Sequence, residues 1–138
     1  MGEFNLFISH SWSYADNYDD LCKLLDQANY FRYKNYSVPE DDPLFISAKN
    51  DYWYRLQLKR KIRDQMQYAS VVIILAGVYA TYSDSIQLEI EVAKELGKPI
   101  LAIELYGSER SSQVVKSAAD RIVSWNTNSI VNAIRELG

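Results

Sequence analysis

Apolar residues along this chain gather into five short runs, and amphipathic stretches separate them. Phe4-Asn-Leu-Phe-Ile-Ser9 is mostly apolar and ends in a hydroxyl, which predicts a short buried strand. Tyr18, Leu21, Leu25 and Ala28 then fall at i, i+3, i+7 and i+10, the spacing of one helical face, within a helix from about Tyr14 to Ala28. Tyr33 to Val38 is a more polar strand and therefore an edge. Pro39-Glu-Asp-Asp-Pro43 marks a loop by its prolines and acids. The loop runs to about Asn50, where Asn50 or Asp51 can cap the next helix.

That helix spans about Asp51 to Gln67, with Leu58, Ile62 and Met66 on one buried stripe. Val71 to Ala76 is fully apolar, as expected of a central strand covered on both faces. A loop from Gly77 leads to a helix over Ser85 to Leu96, stopped by Gly97 as a C′ glycine with Pro99 behind it. Pro99 to Leu105 is the fourth strand, Ser112 to Ala118 a short helix, and Arg121 to Trp125 the fifth strand. The last helix follows caps at Asn126 to Asn128 and turns Ile130, Ile134 and Leu137 inward. Alternating strands and helices build a parallel sheet with right-handed crossovers. The expected fold is α/β: a three-layer, flavodoxin-like arrangement around five parallel strands in the order 2-1-3-4-5.

Composition narrows the class. At 138 residues the chain suits a single domain, residues 1–138, and 48% apolar with 24% charged residues is ordinary for a globular protein. A net charge of −3 argues against a nucleic-acid module, which carries a basic face. Lys59-Arg60-Lys61 with Arg63 spreads around a helix and reads as a solvated face. The single cysteine, Cys22, excludes an internal disulfide and a cysteine-based metal cluster, and beside Leu21 and Leu24 it reads as a packing residue. No set of His, Cys and carboxylates has metal-ligand spacing. No apolar run approaches the ~20 residues of a membrane span, and Met1-Gly-Glu-Phe4 lacks signal-peptide character, so a cytoplasmic protein is expected.

In an open parallel sheet, ligands bind outside the carboxyl ends of the strands. Three functional classes share the architecture. A phosphoacceptor receiver needs carboxylates at the ends of the first and third strands, where this chain has Ser9-His10-Ser11 and Ala76-Gly77. A flavodoxin wraps the flavin phosphate with hydroxyls and glycine after the first strand. Ser9, Ser11 and Ser13 alternate there and Trp12 could stack on a ring, but no glycine loosens that loop and no glycine-rich phosphate motif occurs elsewhere.

The third class matches the residues. Phe7-Ile-Ser-His-Ser11 resembles the opening motif of Toll/interleukin-receptor (TIR) domains. Ser85-Ile-Gln-Leu-Glu89 matches the spacing of their Trp-Cys-x-x-Glu motif and puts Glu89 at the position of the catalytic glutamate. The chain is similar to the bacterial TIR-like proteins that include the TIR component of Thoeris anti-phage defence. Phe7 to Trp12, Ser37-Val-Pro39 and the run from Glu89 to Ile100 carry that likeness. It departs at Ser85, where the family usually has tryptophan, so the hydrophobic support of that helix start differs.

The resemblance implies an enzyme that cleaves the nicotinamide–ribose bond of NAD+ and makes an ADP-ribose-derived messenger for a separate effector. NAD+ would be substrate, with no further cofactor, no metal, no nucleic-acid partner and no membrane. Self-assembly through the loop Ser37 to Pro43 would complete the pocket. Glu89 would stabilise the cationic charge that develops on the ribose. Ser9, His10, Ser11, Trp12 and Ser85 would form the substrate-binding set. The alternatives are ordinary: Glu89 as a solvated helix carboxylate like Glu91 and Glu95, His10 as a loop hydrogen-bonding group, and Trp125, at the end of the fifth strand, as a packed tryptophan rather than an edge of the pocket. Ser9 and Ser11 flank His10 too closely for a Ser-His-Asp hydrolase. Two rival functions stand beside the NAD+-cleaving enzyme: a non-catalytic TIR-like assembly module, and a nucleoside-processing glycosyl transferase using a carboxylate nucleophile.

Overall fold

A computed structural model describes residues 3–9, 15–36, 52–75, 84–104 and 113–138. Its strands are β1 (Phe4–Ile8), β2 (Tyr33–Asn35), β3 (Val71–Leu75), β4 (Ile100–Glu104) and β5 (Arg121–Ser124). The helices are α1 (Ala15–Gln27), α2 (Tyr52–Met66), α3 (Asp84–Leu96), α4 (Gln113–Ala118) and α5 (Thr127–Leu137). All strand pairs are parallel and the order is β2-β1-β3-β4-β5, as the apolar runs predict. Each element lies within a residue or two of its expected bounds, except that β2 stops at Asn35. Tyr14, the stretch from Ser37 to Asp51, Ala76, Leu105 and Ser112, all named above, lie outside the described residues.

Alternation along the strands sorts the core into two layers. Phe7, Val72, Ile74, Ile100 and Ala102 face one side, under Leu58, Ile62 and Met66 of α2, Ile86, Val92 and Ala93 of α3, and Val115 of α4. Leu6, Ile8, Val71, Ile73, Leu101 and Ile103 face the other, under Leu21 and Leu25 of α1 and Ile130 and Ile134 of α5. The residues of β3 from Val71 to Ile74 are fully buried, which explains their unbroken apolarity. Cys22 is half-buried against the second layer, a packing role.

Local chemistry sets the helix ends. Gly97 has φ 67°, a left-handed conformation that glycine adopts without strain. The Lys98 N–H donates to Ala93 O at 2.9 Å and the Gly97 N–H to Lys94 O at 3.2 Å, the paired bonds of a Schellman stop. At the start of α5, Asn126 is the cap: its side chain accepts from the Ser129 N–H at 3.0 Å. Asp120 ties β4 to the entry of β5, accepting from the Ile100 N–H at 2.8 Å and donating its own N–H to Ile100 O at 2.8 Å.

Candidate active site

The connection after β1 leads to a helix on one face of the sheet, while the connection after β3 leads to a helix on the other. The chain therefore diverges between the carboxyl ends of β1 and β3, the place where such sheets open a crevice. Ser9 stands at the β1 side of that divergence. Its N–H donates to Ile73 O at 3.0 Å, carrying the β1–β3 ladder one residue past the strand. Continuing the alternation puts Ser9 on the face of Phe7, the one covered by α2, α3 and α4. On the outer side of β1, Asn35 Oδ1 accepts from the Ile8 N–H at 3.2 Å and the Tyr36 N–H donates to Leu6 O at 2.8 Å, so β2 closes that flank.

Glu89 comes from α3, which starts at the same end of the sheet. It is the sixth residue of the helix, about 7.5 Å along the axis from its first residue at 1.5 Å per residue. The apolar residues Ile86, Val92, Ala93 and Leu96 mark the face of α3 that meets the sheet, and Glu89 lies in the middle of that stripe. Its exposure is 1% and that of Ser9 is 0%. Among the described residues these are the two buried polar side chains, one from each side of the crevice and both on the same sheet face. Taking a carboxylate out of water costs several kcal/mol. A fold that keeps one in an apolar stripe departs from the packing optimum, and such departures concentrate at functional sites.

The two neighbouring carboxylates are of another kind. Glu91 accepts from Lys59 Nζ at 2.7 Å, and Glu95 accepts from Lys59 Nζ at 3.1 Å and from Arg63 at 2.9 Å. These bonds lace α2 to α3 along their exposed edge. The hydrogen bonds to Glu91 and then Glu95 hold the Lys59 ammonium above its ordinary pKa. Part of the basic run on α2 thus serves an interhelical seam.

At the carboxyl end of β4, Glu104 follows Ala102 on the Glu89 face, half-buried and paired with Lys116 of α4 at 3.1 Å. Sequence reasoning missed this pair. Strand alternation beyond Ala102 signals the direction of Glu104, but nothing local announces its partner. Trp125 packs with the layer on the opposite face, where it joins Lys23, Gln27 and Thr127 around a shallow groove of about 540 Å³. The packed reading of Trp125 therefore holds, and it does not edge the Glu89 crevice. His10, Ser11 and Trp12 lie outside the described residues, as does the side chain of Ser85, the second residue of α3. Among the described residues no three His, Cys, Asp or Glu side chains cluster as metal ligands, and no helix is long and apolar enough to cross a membrane.

Parallel order, two helical layers and the divergence of the chain between β1 and β3 define a flavodoxin-like α/β protein. Two solved structures share this fold. One is a conserved protein from Enterococcus faecalis V583, 11% identical over 98% of this chain and 99% of that one, with a TM-score of 0.61. The other is the CMP N-glycosidase BcmB from Clostridium botulinum, 12% identical over 95% and 98%, with a TM-score of 0.53. No curated protein matches the chain. A family model does: that of the Thoeris protein ThsB, TIR-like domain, matches residues 7–110, and the chain belongs to this bacterial TIR-like family.

Proposed function

We propose that the protein is an N-glycosyl-bond-cleaving enzyme whose substrate is NAD+, with Glu89 as its catalytic carboxylate. The observation that carries this reading is the burial of Glu89, at 1% exposure, on the sheet face and strand end that Ser9 shares. In the reaction the bond from C1′ of the ribose to the nicotinamide nitrogen breaks, and its electron pair leaves with the ring. The pyridinium becomes neutral nicotinamide, so no general acid has to protonate the leaving group. The ribose acquires oxocarbenium-like charge, and a carboxylate facing it lowers the barrier. Water, or a hydroxyl or amine of the same or another nucleotide, then bonds to C1′ and loses its proton. The identity of that nucleophile decides whether the product is linear, cyclic or conjugated ADP-ribose.

Ser9, with His10, Ser11, Trp12 and Ser85, forms the proposed binding set for ribose, phosphate and base. A loop from a second copy, Ser37 to Pro43, completes the pocket, and a nucleotide messenger passes to a separate effector. The CMP N-glycosidase of the same fold favours a second reading, removal of a base from a nucleotide. Cytosine is a poorer leaving group than nicotinamide and needs protonation, so that reading requires an acid beside Glu89. Incubating concentrated protein with NAD+ and, in parallel, with CMP, and identifying products by mass spectrometry, separates the two. Nicotinamide appearing from NAD+ supports the proposal. Cytosine from CMP with no nicotinamide from NAD+ supports the second reading. Intact substrate in both arms, at concentrations where the protein self-associates, favours the non-catalytic assembly module.

A further inference from the structure

A crevice built around a buried carboxylate repels the substrate it is meant to take if that substrate carries phosphate. The chain's net charge of −3 adds to the repulsion. Some cation has to face the phosphates. On α2 the ion pairs run in step with α3, Lys59 with Glu91 and Arg63 with Glu95, four residues apart on both helices. Lys59 and Arg63 therefore belong to the outer seam of α2 and α3.

Lys116 is placed differently. It projects from α4, whose Val115 is fully buried in the layer that includes α3 and Ala102. Its Nζ lies 3.1 Å from Glu104 Oε1 at the carboxyl end of β4, the strand next to β3. Glu104 follows Ala102 on the face that Ser9 and Glu89 share. The side chains of Lys116 and Glu104 are 26% and 36% exposed, half-buried but open to a ligand. Here a lysine is held at the carboxyl end of β4 by a carboxylate that an arriving phosphate can replace.

We propose that Lys116 is the anion-binding side chain of the Glu89 crevice, kept in place by Glu104, and that it selects phosphorylated nucleotides over free nucleosides. The inference rests on the reading of that crevice as the substrate site. It does not require that NAD+ be the substrate. An ammonium donating to a phosphate oxygen makes a charge-assisted hydrogen bond, whose loss weakens binding about tenfold.

The test measures binding of ADP and of adenosine by titration calorimetry to the parent chain, Lys116→Met and Glu104→Gln. The expected result is a Kd for ADP about tenfold weaker in Lys116→Met, with the Kd for adenosine unchanged. Glu104→Gln keeps an acceptor for the lysine while removing the competing charge. ADP should therefore bind it about threefold more tightly, an improvement that structural damage does not produce. This variant decides the matter if Lys116→Met fails to fold. No ADP binding by the parent, an equal loss for ADP and adenosine, or unchanged ADP affinity in both variants overturns the proposal. NAD+ cleavage is scored separately. Parent-like KM for NAD+ in Lys116→Met removes the lysine and leaves the catalytic reading intact. Lysine-dependent ADP binding without any NAD+ cleavage does the reverse.

Discussion

Replacing Glu89 by Gln preserves volume and shape and removes one negative charge from a site with 1% exposure. The effect on chemistry follows from what that charge faces. A unit charge about 4 Å from a developing cation is worth about 4 kcal/mol at an effective dielectric of ~20. Measured losses for removing one such stabilising group are ~2.7–4 kcal/mol. At 1.36 kcal/mol per decade, turnover of NAD+ should fall about 100- to 1000-fold. The effect on stability follows from burial. Gln no longer bears the cost of desolvating a charge, and a neutral amide interacts more weakly than a carboxylate with the dipoles around it. The two changes oppose each other, and the net should lie within about 1 kcal/mol of zero.

Nicotinamide release at matched protein concentration and urea unfolding followed by circular dichroism measure the two effects on the same samples. The expected signature is a large catalytic loss with an unchanged unfolding slope and nearly unchanged midpoint. Turnover within threefold of the parent in a folded Glu89→Gln protein removes the carboxylate from the mechanism. A loss of stability above about 3 kcal/mol would instead show that the charge is a structural element of the helix–sheet seam.

Three further outcomes are expected. Glu91→Gln should leave turnover within twofold and stability within about 1 kcal/mol, because it breaks only an exposed pair with Lys59; a loss equal to that of Glu89→Gln would identify the wrong carboxylate. Burial, reinforced by the hydrogen bond to Asp26 at 2.9 Å, raises the Tyr33 phenol above its usual range. The unfolded chain ionises first, so this contribution is complete below about pH 10 and lost as pH rises further; Tyr33→Phe should flatten that alkaline limb in a pH series of urea midpoints. Gly97→Ala should destabilise by about 1 kcal/mol in urea unfolding, from the positive φ alone, since an added Cβ meets nothing within 4 Å.

The order of the sheet was legible because each strand is a compact apolar run and each helix carries one stripe. Val71 to Ile74 and the trio Leu58, Ile62 and Met66 needed no tertiary information to be placed in the core. The reach of β2 was not legible. Tyr33 to Val38 has no pattern that marks an end, and the strand stops at Asn35, whose side chain accepts from Ile8. Glu89 entered the sequence reading through family likeness, yet a physical signal was present. It sits three residues after Ile86 and three before Val92, inside the stripe that those residues define. Ion pairing across α2 and α3, and the meeting of Glu104 with Lys116, depend on helix register and sheet order, which no local pattern encodes.

Period and alternation together explain why the chemistry gathers on one side of this sheet. Two residues along a helix is about 200° of rotation, so Glu89 and Glu91 cannot share an environment whichever way α3 faces. Packing the stripe of Ile86, Val92 and Ala93 against the sheet buries the first and exposes the second. Along the strands, Ile8 and Ile103 turn to the α1–α5 face and join its apolar layer. The next residues, Ser9 and Glu104, turn to the opposite face, where Glu89 descends from above. One strand end supplies a hydroxyl, another an ion-paired carboxylate, and the intervening helix a buried charge. A receiver would need its carboxylates on the strand ends themselves, and a flavin carrier would need a glycine-loosened loop there. A helix-borne carboxylate pressed toward the sheet end that carries Ser9 suits a ligand that lies across the strand ends and develops positive charge beneath the helix. The proposed breaking of a glycosyl bond to a cationic base makes that electrostatic demand.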